Sequence, residues 1–210
     1  MGLFKCDKCK QYGLYFDRNY SPDQFLEGKA NSLIWIIGLN PKGKEGTNDD
    51  RTLEKLQTYF EDKQMIHPYF RDFKKVSARL YDLLGKNHGV AHTDLVKCFS
   101  NNFPPRNCGS AATMEIINNC KWYLMEQLRK HKPKMLICNG SAVCKCMLEV
   151  LPPTHKSEGL PTAYLTSINK NKIVVILSGF VGRIDDYAKR RLGREIEYYM
   201  EQLNIGMHLV

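Results

Sequence analysis

Four short stretches limit what this chain can become: SLIWIIGLN, VAHTDLV, KPKMLICNG and IVVIL. The first is continuous, apolar and rich in isoleucine, the mark of a strand buried on both faces, and the others read as strands of similar length. Between them the spacing turns helical. HPYFRDFKKVSARLYDLLG places Phe70, Phe73, Val76, Leu80, Leu83 and Leu84 on one face of a helix that stops at Gly85. Further helices are predicted from about Thr113 to Lys130, from Ser141 after a turn at Gly140, and from about Asp185 to Gln202, while AYLTSINKNKIVVILSG allows a hairpin around Asn169 to Lys172. Strands alternating with helices predict an α/β fold, a three-layer α/β/α domain on a central, mainly parallel four-stranded sheet, and residues 1–210 are expected to form one domain. Chemistry in such sheets gathers at the carboxyl ends of the strands. Those ends are GLNP, HTDLVKC, CNGS and LSGF.

A chain of 210 residues hides roughly 70% of its unfolded surface on folding, so any bound metal adds to an adequate core. No apolar run reaches the roughly 18 residues that span a bilayer, and MGLFKCDKCK has neither a long apolar stretch nor a cleavage site. The expected setting is the cytoplasm, with no membrane partner, and the expected state is a monomer. A net charge of +9, from 31 basic and 22 acidic residues, favours a polyanionic partner, nucleic acid first. RIDDYAKRRLGRE concentrates Arg183, Lys189, Arg190, Arg191 and Arg194, which suit phosphates. A solvated helix face partly countered by Asp185 and Asp186 fits the same stretch.

WIIGLNPKGKEG contains the G-x-x-x-x-G-K part of a phosphate-binding loop, from Gly38 through Gly43 to Lys44. Glu45 stands where a magnesium-binding Ser or Thr belongs, and Pro41 removes one backbone N–H that would face phosphate. A nucleotide hydrolase is therefore a remote reading, and the loop is better taken as a catalytic turn of another kind. Eight cysteines without an export signal point to free thiols or a metal site. Cys6 and Cys9 form CDKC, whose gap lets both reach one centre, with Cys98 and Cys120 as candidates for its other half. Cys138, Cys144 and Cys146 fit small core residues, and Cys108 stands undecided in a Pro/Asn-rich loop.

The order of these motifs resembles the uracil-DNA glycosylase superfamily, from Cys6 to about Arg194. GLNP is similar to the first catalytic motif of the mismatch-directed branches. HTDLVKC resembles the T-N-x-V-K-C segment of the iron-sulfur-containing branch, and MEIINNCKWYLMEQLRKHKPKMLICNGSAV its cysteine helix and following strand. The resemblance implies a DNA glycosylase with a 4Fe-4S cluster on Cys6, Cys9, Cys98 and Cys120, although a structural zinc uses the same four ligands and Cys108 is an alternative to Cys120. By the same resemblance Asn40 orients the attacking water, Gly38, Leu39 and Gly43 border the base, and Tyr69 or Phe70 supplies an aromatic platform for a base taken out of the duplex. Lys42 and Lys44 join the basic helix in contacting DNA.

Two positions depart from the pattern. Most branches carry a His-Pro-Ser type motif after the last strand, whose histidine stabilises charge on the departing base; here Leu177, Ser178, Gly179 and Phe180 occupy it. Ser178, backbone N–H groups around Gly179, or Arg183 are the candidate replacements, with His92 and His155 less constrained. Asp94 stands where the iron-sulfur branch has the asparagine that reads uracil. A carboxylate accepts from the amino group of cytosine, so a cytosine-derived base, such as a modified one in invading DNA, is expected alongside uracil. A catalytically weak or inactive iron-sulfur nucleic-acid-binding protein is the competing reading.

Overall fold

A computed structural model describes residues 4–42, 52–105, 108–154 and 161–205. A short antiparallel hairpin, β1 (Phe4–Cys6) with β2 (Phe16–Arg18), precedes the central sheet. That sheet is built from β3 (Ile34–Gly38), β4 (Val90–Asp94), β5 (Met135–Asn139), β6 (Ala163–Ile168) and β7 (Asn171–Ser178), in the order β4-β3-β5-β7-β6. The first four in that order run parallel, and β6 is antiparallel to β7.

The sheet therefore has five strands where four are predicted. The fifth, AYLTSI, buries only Tyr164, Thr166 and Ile168 on alternate positions, the pattern of an edge strand with one wet side. It joins β7 through Asn169 and Lys170, both left-handed with φ of 48° and 69°, as a two-residue hairpin turn requires. The hairpin expected around Asn169 to Lys172 is present, and its first strand is the missing member.

Alternate residues of the buried strands feed two cores. Trp35, Ile37, Leu136, Cys138 and Val175 pack on one side against α4 (Ser110–His131) and α5 (Ser141–Val150), with Leu56 of the short α1 (Leu53–Gln57). Ile34, Ile36, Ile137 and Ile176 pack on the other against α2 (Pro68–Val76), α3 (Ala78–Asp82) and α6 (Asp186–Gln202). Three layers result, as predicted. The single helix expected up to Gly85 is broken at Ser77, which is extended (φ −152°). Its hydroxyl accepts from Leu80 N–H at 2.9 Å, capping α3, and donates to Glu197 on α6. A serine offered both partners stabilises a cap better than a helix interior. Among the described residues no helix is long and apolar enough to cross a membrane.

The contact of α6 with α2 is close because of one glycine. A Cβ on Gly193 would lie 1.9 Å from the carbonyl oxygen of Val76. Alanine is the better helix former, yet Gly193→Ala is expected to cost about 1–3 kcal/mol, because backbone has to move to admit the methyl group. A thermal melt checks this, and a raised Tm is the contrary result.

Candidate active site at the strand ends

The parallel register brings the strand ends level: Gly38 pairs with Asp94, and Asn139 with Ser178. The chain leaving β3 is held by the loop after β4, since Leu95 N–H donates to Gly38 O at 2.9 Å and Val96 N–H to Leu39 O at 2.8 Å. Asn40 follows, half-buried. Its Nδ2 donates to Ser100 O at 2.9 Å and to Pro41 O at 3.1 Å, while its Oδ1 bonds to no described residue. The amide is thus oriented by its donors, with its acceptor oxygen turned from both carbonyls.

Beside it lies a buried charged cluster. Glu27, His92 and Asp94 are 4%, 6% and 3% exposed. His92 Nδ1 is 2.7 Å from Glu27 Oε2, and Nε2 is 3.8 Å from Asp94 Oδ1. The cluster needs a glycine at position 38, where a Cβ would lie 2.3 Å from Asp94 Oδ1 and 2.9 Å from His92 Nε2. Burial alone pulls the imidazole down, but the charges of Asp94 and Glu27 and the Glu27 hydrogen bond outweigh it, so His92 binds its proton more tightly than an ordinary histidine. The Asp94 carboxylate over Gly38 also disfavours a nucleotide phosphate there.

Tyr69 and Phe70 separate in role. Phe70 is buried in the core with its ring edge-on to His92, at 4.9 Å between centroids. Tyr69 is stacked on Phe180, with centroids 5.7 Å apart and planes 8° from parallel, and its hydroxyl accepts from Asn139 Nδ2. Asn139 Oδ1 in turn accepts from Val181 N–H at 2.8 Å, so one amide ties β5, α2 and the loop after β7 together. Burial, then the Asp94 charge, keep Tyr69 protonated well beyond the usual tyrosine range. Phe180 is 42% exposed, with the Arg183 guanidinium 5.9 Å from its ring centroid.

Ser178 donates to Gly179 O at 2.9 Å and lines an open groove of about 610 Å³ with Thr162, Gly179, Arg191, Arg194 and Glu195. The groove lies between the end of β7 and α6, not over Asp94. Arg183, Arg190 and Arg191 are exposed. Lys189 is not: it is buried, with Nζ 3.0 Å from Asp72 Oδ1. Lys42 is exposed and donates to Asn101 O at 3.0 Å. Gly43, Lys44 and His155 lie outside the described residues.

The four cysteines singled out in the sequence are neighbours. Cys98 and Cys120 are buried side by side and titrate together, and the neighbouring thiol and Lys97 favour the Cys120 thiolate against its burial. Cys9 accepts from Asn119 Nδ2 at 3.4 Å and lies within electrostatic reach of Cys120 and Cys6. Tyr123 Oη is 4.0 Å from Cys6 Sγ. Cys108 stands before α4, within electrostatic reach of Tyr12. Among the described residues, no three His, Cys, Asp or Glu side chains converge as they would on a single ion.

Sequence reasoning does not reach Glu27, Asn139, Lys97 or Gln127. Lys97 is fully buried, with Nζ 2.7 Å from both Thr93 Oγ1 and Gln127 Oε1. Burial brings its ammonium down to about 7, against the opposing pull of Asp94 and Cys120. A lysine between two apolar residues and a cysteine, in HTDLVKC, is the signal that was available. Glu27 has none, because its partner is 65 residues away.

No curated protein matches the chain. The family model of the uracil DNA glycosylase superfamily matches residues 25–182, a stretch that begins just before Glu27, ends just after Phe180 and leaves Cys6, Cys9, Arg183 and α6 outside it. All the strand ends that converge here fall within the match, and the chain belongs to the uracil-DNA glycosylase superfamily.

Proposed function

We propose that the chain is a DNA glycosylase that takes a cytosine-derived pyrimidine out of the duplex and hydrolyses the bond joining it to deoxyribose, leaving an abasic site. Superfamily membership supports the glycosylase and its DNA partner. The observation that carries the finer reading is the Asp94 carboxylate, buried at the end of β4 and laid over Gly38. Uracil offers an N–H beside a carbonyl, and a carboxylate sets lone pairs against that carbonyl. Cytosine offers an amino group, which a carboxylate accepts. An unmatched buried polar group costs about 1–3 kcal/mol, enough to turn preference from one base to the other. A modified cytosine, such as one in invading DNA, is the substrate that spares the host's own genome.

The other residues take roles around that contact. Asn40, its Nδ2 bonded to backbone, presents Oδ1 to the attacking water. Tyr69 offers the face on which the extruded base stacks, in the place Phe180 now holds. Gly38 and Leu39 border the base. Arg183, Arg190, Arg191 and Lys42 neutralise backbone phosphates. Lys189 acts from inside, pinning α6 to α2 through Asp72. Ser178 and the N–H groups near Gly179 stand where the missing histidine would.

We read Cys6, Cys9, Cys98 and Cys120 as the ligands of a 4Fe-4S cluster, the reading under which this chain would join the iron-sulfur branch. Their mutual proximity and the Asn119 amide donated to Cys9 support it. Each iron of a cluster takes its own thiolate, whereas zinc in the same site draws all four onto one point. The cluster ties the N-terminal hairpin to the loop after Cys98 and to α4, and supplies support for the DNA-binding face. Protein prepared without oxygen is expected to carry about four irons per chain. Cys9→Ser and Cys120→Ser should bleach it and Cys146→Ser should not; one equivalent of zinc without iron is the contrary result.

The test of function is base release. Duplexes carrying uracil, cytosine or a 5-substituted cytosine at one position are incubated with excess enzyme and assayed for abasic sites. Release of a cytosine-type base in preference to uracil is expected. Binding without release from any duplex would make this a DNA-binding protein without chemistry.

A further inference from the structure

We propose that Glu27, His92 and Asp94 form a proton relay that protonates the ring nitrogen of the flipped base, so that a cytosine-type base departs neutral. The inference rests on the glycosylase reading above and explains how such an enzyme works without a histidine after its last strand.

Uracil leaves as an anion, and losing a donor aimed at that charge costs about 100- to 1000-fold in rate. A base protonated before the bond breaks carries no negative charge away, and the donor is not needed. What is needed instead is a proton beside the base. His92 is placed to supply it: Glu27 holds Nδ1 at 2.7 Å and fixes the ring, and Nε2 faces Asp94 Oδ1 at 3.8 Å. That separation shortens to a hydrogen bond on closure around substrate, as acid–base pairs in empty sites commonly do. A histidine between two carboxylates at this depth is a poor device for stability, since burying charges costs several kcal/mol per ion.

The groups facing His92 are Glu27 from the segment before β3, Asp94 on its own strand, Lys97 from the following loop and Tyr69 from α2. The carboxylates favour the imidazolium; burial and Lys97 oppose it, and the carboxylates prevail. The proton on Nε2 passes to Asp94 Oδ1, and a carboxyl proton passes to N3 of the base. The bond from C1′ to N1 then breaks with its electron pair going to N1, giving a neutral base. The oxygen of the water held by Asn40 adds to C1′, and the proton it loses returns to solvent, from which His92 is recharged. Asp94 touches the base and is a catalytic residue; His92 and Glu27 act through it as positioning residues.

The test is the pH profile of single-turnover release from a duplex carrying one cytosine-type base, with iron content and DNA affinity measured alongside. In the wild type the rate should be flat while His92 is protonated. It should fall about tenfold per pH unit above the histidine's pKa, which lies higher than the usual 6.5. His92→Gln should remove the plateau and slow release about 100-fold at neutral pH. Glu27→Gln, which preserves shape, should move the break to lower pH because one of the two favouring charges is gone. Asp94→Asn should lose the cytosine-type base and gain uracil. If the wild type releases cytosine-type bases and both His92→Gln and Glu27→Gln leave profile and rate intact, the relay is wrong and the glycosylase stands. Release of uracil alone also overturns the relay, and release of no base overturns both.

Discussion

Asn40→Ala is expected to slow base release by about 100-fold or more while DNA affinity stays nearly unchanged. Among the described residues Asn40 Oδ1 has no partner, and Nδ2 donates to the carbonyls of Ser100 and Pro41. Those bonds orient the acceptor, so the alanine variant loses a positioned group and not a contact with DNA. Misplacing the attacking water by about 1 Å costs on the order of 100-fold, and an interaction exploited only in the transition state appears in the chemical step. Single-turnover rates at saturating enzyme, set beside equilibrium binding to the same duplex, separate the two. Equal losses in both would assign Asn40 to the loop it is bonded to, and not to the water.

Gly38→Ala is the second large effect. The methyl group would lie 2.3 Å from Asp94 Oδ1 and 2.9 Å from His92 Nε2, well inside contact distance, so the carboxylate has to leave its position. Gly38 is paired with Asp94 on β4 and its carbonyl accepts from Leu95 N–H, which gives the glycine little room to move instead. If Asp94 reads the base as proposed, displacing it should cost about 100-fold in rate, with a stability loss of about 1–3 kcal/mol from overpacking. The metal content measured for the wild type should not change, because the cysteines lie elsewhere. The effects of Gly38→Ala and His92→Gln should also fall short of additive, since both act on Asp94. A Gly38→Ala enzyme with full rate would show that the carboxylate is not needed where it lies.

These residues were visible in the sequence for a specific reason. Asn40 and Ser178 each follow a short apolar run directly, Asp94 closes the short strand VAHTD, and a parallel sheet brings the ends of such strands to one side whatever the intervening chain does. Asn139 was equally placed, within CNGS, but its role depends on Tyr69 and Val181, which no spacing connects to it. Glu27 was invisible because it comes from a polar stretch and acquires meaning only when its segment lies against β4. Lys189 illustrates the opposite error. It counts towards the basic helix, but period 3.6 turns it inward with Leu192 and Ile196, where it neutralises Asp72. Likewise β6 was hidden by its alternating pattern, and the break at Ser77 by an apolar spacing that carries on across it.

The segment bearing Glu27 has one more consequence. β4 is the last strand on its side of the sheet, and an outermost strand offers unpaired backbone groups to any other extended chain. Here the offer is withdrawn at two points. Glu27 N–H donates to His92 O at 2.8 Å and His92 N–H to Glu27 O at 2.9 Å, while Gly85 N–H donates to Val90 O and Val90 N–H to Leu83 O, each at 2.9 Å. The residue that steadies the histidine is thus also the plug of an open seam. Were residues 25–28 to detach, β4 would become a template for intermolecular pairing at the same moment that His92 lost its support, so loss of the cluster and aggregation are expected together.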